Sequence, residues 1–144
     1  MTTSISDADR KGIARALAES TSSTFGRVKI GAYITTARGH SKGVGHNSRK
    51  THPRQYAANL RTGRQIERPC LHAEMSAILC MESEHDIQWL SPEPPHTIYV
   101  ARLARSGNWA NCRPCAACAS EIVAAGIKRV VYTTENGVEE YECP

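Results

Sequence analysis

The sequence predicts an α/β fold in which helices pack on a sheet, and three observations carry that expectation. Segments that alternate apolar and polar residues, such as 28–35, are separated by segments with apolar residues at helical spacing, such as 71–81. The two kinds interleave along the chain, which is the order of layered α/β proteins. The chain has 144 residues, 40% hydrophobic and 22% charged, which fits one hydrophobic core and a single domain over 1–144.

The elements follow in order. Ser6-Asp7-Ala8-Asp9 resembles a capping box with Asp9 in place of the usual Glu, and Ile13 and Leu17 continue it as a helix over 7–20. Gly12 stands inside that helix, where glycine is unfavourable. Val28, Ile30, Ala32 and Ile34 alternate with Lys29, Gly31, Tyr33 and Thr35, a first strand. Arg38-Gly39 reads as a turn, and His40 to Asn47 return as a glycine-rich second strand. Residues 48–69 read as a long polar connection with one short helix around Tyr56–Arg61. Met75, Ile78 and Leu79 mark a helix over 71–81. Pro92, Pro94 and Pro95 close the next loop before a third strand at 97–103. A helix over 115–125 ends at Gly126, the expected C-terminal position. Residues 130–134 form a fourth strand, and Asn136-Gly137 turns the chain into a fifth at 138–142. Residues 135–144 are too few for a helical crossover and another strand, so the fifth strand must return antiparallel.

Composition narrows the class. No apolar run reaches the roughly 18 residues of a membrane span, and Met1 to Arg10 do not read as a signal peptide. A cytoplasmic protein with no membrane partner is the expectation. Of six cysteines, Cys112, Cys115 and Cys118 fall close together, which suggests metal chemistry rather than a disulfide framework. The net charge of +4 is mild, and its distribution matters more than its sum.

The chemistry gathers in His72-Ala73-Glu74 and Pro114-Cys115-Ala116-Ala117-Cys118. Zinc takes nitrogen and sulfur ligands, and a catalytic zinc keeps three of them and leaves one position open. Cys115 and Cys118, at i and i+3 where a helix begins, share a face. The positive end of that helix favours thiolates. His72, at the start of another helix, can meet them at one edge of the sheet. Glu74, two residues on, is placed to move protons without ligating the metal. Alone, a Cys-x-x-Cys also fits a structural zinc site or a redox pair, and a His-x-Glu means little.

Together the two pieces match the H-x-E…P-C-x-x-C pattern of zinc deaminases. Residues 28–134 resemble the cytidine/deoxycytidylate deaminase superfamily, whose relatives include tRNA adenosine deaminase and the APOBEC enzymes. The resemblance implies a three-layer fold with a mixed five-stranded sheet and helices on both faces. It implies Zn²⁺ held by His72, Cys115 and Cys118, Glu74 as the proton carrier, and an Ala73 amide that contacts the pyrimidine carbonyl. Gly45-His46-Asn47 resembles the family's Gly-x-Asn, in which the Asn hydrogen-bonds substrate; Asn47 is also an ordinary turn residue. Small members of this family often complete their pocket with a neighbour's residues, so a homo-oligomer is expected.

Substrate is less legible. His72 as first ligand resembles the deoxycytidylate, tRNA and APOBEC members, whereas the C-terminal hairpin resembles the free cytidine deaminases. Arg49, Lys50, Arg54, Arg61, Arg64 and Arg68 face only Glu67 within 49–68, a segment suited to holding a phosphate or simply to being solvated. Trp109 is a candidate for stacking on a base, or for packing. Cys70, Cys80 and Cys112 read as packing residues. The leading reading is deamination of a cytosine nucleotide or nucleoside to the uracil form with release of ammonia. The alternative is a deaminase of cytosine or adenine in single-stranded DNA or RNA. A non-enzymatic zinc module is disfavoured by Glu74.

Overall fold

The computed structural model describes residues 5–24, 26, 28–64, 70–83 and 92–144. Along the chain run α1 (Asp7–Ser20), β1 (Ile30–Thr36), β2 (Ser41–His46), β3 (Ser48–Thr51), α2 (Pro53–Arg61) and β4 (Cys70–Leu71). Then come α3 (Ala73–Ser83), β5 (Pro95–Arg102), α4 (Ala116–Ala124), β6 (Arg129–Thr134) and β7 (Gly137–Glu142). The main sheet is five-stranded in the order β2-β1-β5-β6-β7. It is mixed: β5 and β6 are parallel, and every other neighbouring pair is antiparallel. The last hairpin closes with Thr134 opposite Gly137, so its two loop residues are Glu135 and Asn136, one place earlier than the Asn136-Gly137 turn expected from sequence, and Gly137 opens β7.

Alternation along β5 separates the two faces. Tyr99 and Ala101 join Ile13, Ala16 and Val131 beneath α1. Ile98 and Val100 join Ala32, Ile34, Ala77, Ile78 and Ile122 on the face that carries α3 and α4. Helices therefore cover both sides of the sheet. Among the described residues, no helix is long and apolar enough to cross a membrane.

Glycines set the helix positions. Ser6 caps α1, its Oγ accepting from the Asp9 amide at 3.1 Å. Gly12, which weakens the helix, earns its place by contact: a Cβ there would lie 2.4 Å from Tyr99 Cε2. The Tyr99 ring cannot easily move aside, because its hydroxyl donates to Asp9 Oδ1 at 2.8 Å and Arg129 donates to both oxygens of the same carboxylate. Gly12→Ala should therefore destabilise the protein by about 1–3 kcal/mol despite alanine's better helix propensity. Urea denaturation showing equal or greater stability would contradict this packing. On the other face, α3 lies directly on β2. A Cβ at Gly43 would sit 2.7 Å from the Ala77 carbonyl oxygen, and one at Gly45 would sit 2.3 Å from the Ala77 nitrogen.

The polar connection after β2 holds more structure than its sequence suggests. β3 pairs antiparallel with β4, Ser48 opposite Leu71 and Thr51 opposite Cys70. Neither strand alternates in polarity, so periodicity could not reveal the ladder. The short helix begins earlier than expected, at Pro53, because Pro suits the first turn and His52 caps it by accepting from the Arg54 amide at 3.1 Å. Glu67 and Arg68 lie outside the described residues.

Candidate metal centre

Two helix starts converge on the α3/α4 face. Cys115 is the N-cap of α4 in an extended conformation, and its sulfur makes no capping bond, which leaves it free to face the metal corner. The chain before it is anchored between β5 and β6: Cys112 donates its amide to the Thr133 carbonyl at 3.1 Å, and its thiol donates to the Val100 carbonyl at 3.1 Å. Cys112 is thus the packing residue expected. His72 stands just ahead of α3, and its carbonyl accepts from the Ser76 amide at 2.9 Å. His72 Nδ1 lies 3.2 Å from Cys118 Sγ and 3.6 Å from Cys115 Sγ. All three donor atoms fall within 4.8 Å of one another. Tetrahedral zinc, with Zn–S about 2.3 Å and Zn–N about 2.0–2.1 Å, sets ligand nitrogen and sulfur roughly 3.6 Å apart. The donor set and its spacing fit that ion.

The corner is electrostatically tense. Hydrogen bonding with Cys118, aided by His72 and opposed by burial, pulls the Cys115 thiol down to about 3. Cys118 moves the other way, through its bond with Cys115 and then through burial. With protein groups alone the two sulfurs share one proton; a divalent cation would hold both as thiolates. His72 is raised, chiefly by its bond with Cys115. Glu74 is 5% exposed, and burial raises its carboxyl pKa against the pull of His72.

One positioning residue escaped the sequence reading. Gln55 is fully buried; its Oε1 accepts from the His72 amide at 3.1 Å, and its Nε2 donates to Asn59 Oδ1 at 2.9 Å. The available signal was a polar pair at i and i+4 on one helix face.

The remaining candidates separate. Ala73 is the first residue of α3 and fully buried; amides of a first helical turn have no acceptor within the helix. Asn47 is buried and is not a turn residue. Its Oδ1 accepts from Ser23 Oγ at 2.5 Å and from the Ile30 amide at 3.0 Å, while Nδ2 donates to the Val28 carbonyl at 2.6 Å. It ties the approach to β1 onto the end of β2, with a second Nδ2 hydrogen unused by these bonds. Arg49 and Lys50 are exposed on β3. Arg54 and Arg61 follow neither of the two readings left open for the basic segment, phosphate binding or solvation, because both are ion-paired. Arg54 pairs with Glu82 and, at 3.1 Å, with Glu121; Arg61 meets Glu121 at 2.6 Å. These bonds hold α2 to α3 and α4. They also outweigh burial and keep the Glu121 carboxyl below its ordinary value. Trp109 pairs with Leu103 across a side hairpin and packs on the cluster beneath α1, the opposite face from His72. That placement gives it a packing role instead of a stacking one. The cavity of about 690 Å³, lined by Asp9, Arg129, Val131 and Glu140, also lies away from the metal corner.

A family model described as the cytidine and deoxycytidylate deaminase zinc-binding region matches residues 6–134. No curated protein matches the chain by sequence. Among solved structures, a cytidine deaminase from Burkholderia pseudomallei is 19% identical with a TM-score of 0.61, over 96% of this chain and 93% of that one. A dCMP deaminase from the cyanophage S-TIM5, in complex with dCMP and dUMP, is 19% identical with a TM-score of 0.58, over 90% and 83%. A cytidine deaminase from Mycobacterium leprae is 16% identical with a TM-score of 0.58, over 91% of each chain. At these identities the likeness is one of fold.

Proposed function

Because the chain belongs to the cytidine and deoxycytidylate deaminase family, whose zinc-binding region covers its His72, Cys115 and Cys118, we propose that it is a zinc-dependent hydrolase. In this reading one domain over 1–144 converts a cytosine nucleotide or nucleoside to the uracil form and releases ammonia. The observation that carries the reading is a nitrogen-and-two-sulfur donor set with a buried carboxylate, Glu74, beside it.

When bound, zinc supplies a Lewis acid that lowers the pKa of water toward ~7. The chain's residues do the rest. Glu74 takes a proton from the attacking water and delivers protons to the ring nitrogen and the departing amine. Burial suits it to both directions, since a raised carboxyl pKa sits nearer the working pH. The Ala73 amide, at the open end of α3, donates to the pyrimidine carbonyl. Asn47 donates its remaining amide hydrogen to the sugar. Gln55 keeps the imidazole in place through the His72 backbone.

Ammonia release from cytidine, deoxycytidine, CMP and dCMP tests this reading directly. We expect turnover on at least one of them by protein carrying about one zinc per chain. Zinc-loaded protein inert on all four would sink it. Tyr56 and Leu60 are exposed one turn apart on α2 and support the proposal of a homo-oligomer; sedimentation of a fully active monomer would count against that assembly.

A further inference from the structure

We propose that Arg49, Lys50 and Arg64 form an anion-reading edge beside the metal corner, and that this edge makes a 5′-monophosphate the preferred substrate over its nucleoside. The inference deepens the deaminase reading and rests on it.

Deamination concerns the base alone. Neither the zinc ligands nor Glu74 has reason to sense a phosphate several bonds away, so any preference for one must come from cations outside the donor set. The described residues of 49–68 offer five, and the structure divides them. Arg54 and Arg61 are committed to Glu82 and Glu121. Among the described residues, no carboxylate pairs with Arg49, Lys50 or Arg64, and all three are exposed.

Their position is fixed by backbone bonds. Asn47, Ser48, Arg49 and Lys50 are consecutive, and Ser48 pairs with Leu71, the residue before His72. The strand that carries Arg49 and Lys50 is therefore laddered to the chain that delivers the first metal ligand. Arg64 arrives from the other side. Its amide donates to the Asn59 carbonyl at 2.8 Å, and the Asn59 side chain holds Gln55, which holds the His72 amide. Three cations that pair with no described carboxylate, tethered by backbone to the segment that carries His72, suit an anionic substituent on the sugar, and arginine offers the paired donors that phosphate oxygens accept.

The test compares dCMP with deoxycytidine as a ratio of kcat/KM, in the parent, in R49Q/K50Q, in R64Q and in the triple variant. The binding of dUMP against deoxyuridine is measured on the same zinc-loaded proteins. One charge-assisted hydrogen bond lost corresponds to about a tenfold to hundredfold fall in the monophosphate preference. We expect that fall in both ratios for the variants, and an unchanged ratio in Arg61→Gln, whose charge is already paired. Parent protein that binds dUMP no better than deoxyuridine would overturn the proposal. So would a triple variant with the parent's ratio, or a loss confined to a short single strand, which would assign the edge to polynucleotide. Because product binding needs no turnover, failure of the deaminase reading leaves the binding ratio to be judged by itself.

Discussion

Glu74→Gln should retain zinc and lose nearly all turnover. The substitution preserves size and hydrogen-bonding shape but removes the buried carboxylate beside the donor set that can accept and return a proton. Glu74 is not among the three donor atoms within 4.8 Å, so the metal site keeps its ligands. General acid–base catalysis of this kind contributes typically about 10²–10⁴-fold, or about 3–5 kcal/mol of barrier. The loss should appear in kcat, with zinc content by atomic absorption unchanged. Burial, the largest influence on the Glu74 carboxyl, disfavours its charged form and outweighs the attraction of His72, so a neutral amide of the same shape should leave folding intact. Normal deamination by this variant would remove Glu74 from the mechanism.

Cys115→Ser should lose metal and turnover together. At neutral pH the Cys115 thiol is ionised, drawn down to about 3 by Cys118 and His72, and a serine hydroxyl offers no comparable anion to zinc. With only His72 and Cys118 remaining, the site falls below the three protein ligands of a catalytic zinc. Zinc per chain should drop steeply, and excess zinc in the assay should restore little activity. The pair of variants separates proton transfer from metal binding: one keeps zinc without turnover, the other keeps neither. Cys115→Ser protein with full zinc and full activity would show that this sulfur is not a ligand.

Much of this is legible in the amino-acid sequence. Alternation at Val28–Thr35, helical spacing after His72, and the hairpin signal near Asn136 each report a local preference, and local preferences survive folding; only the turn itself lies one residue earlier than its Asn-Gly pair suggests. The donor set was readable too, since His72, Cys115 and Cys118 belong to short motifs with chemical meaning. Long-range pairing was hidden. Ser48 opposite Leu71 joins strands too short to alternate, and nothing in either segment names the other. Gln55 stands in a polar stretch, and nothing local to it signals burial or its bond to the His72 amide. Arg54 and Arg61 looked like free charges because Glu121 lies far along the chain. Sequence left Trp109 open between stacking and packing for a similar reason: proximity to Cys115 in the chain does not decide which face of a sheet a ring will cover, and here it packs on the cluster beneath α1.

The contact between α3 and β2 has a consequence for catalysis. A helix that rests on side chains can settle in several ways as rotamers change. Here the helix rests on bare backbone at Gly43 and Gly45, where a Cβ would come within 2.7 Å and 2.3 Å of Ala77 atoms. Such a seat has nothing to repack and no alternative depth. Each glycine costs a strand about 0.5–1 kcal/mol of conformational entropy relative to alanine, which is why this stretch looked like a poor strand. In return the first turn of α3, with its carboxylate and the imidazole ahead of it, is preorganised before any ligand arrives. A displacement of about 1 Å in an active site can cost 10²-fold in rate. Precision in this corner is therefore supplied by two side chains that are missing.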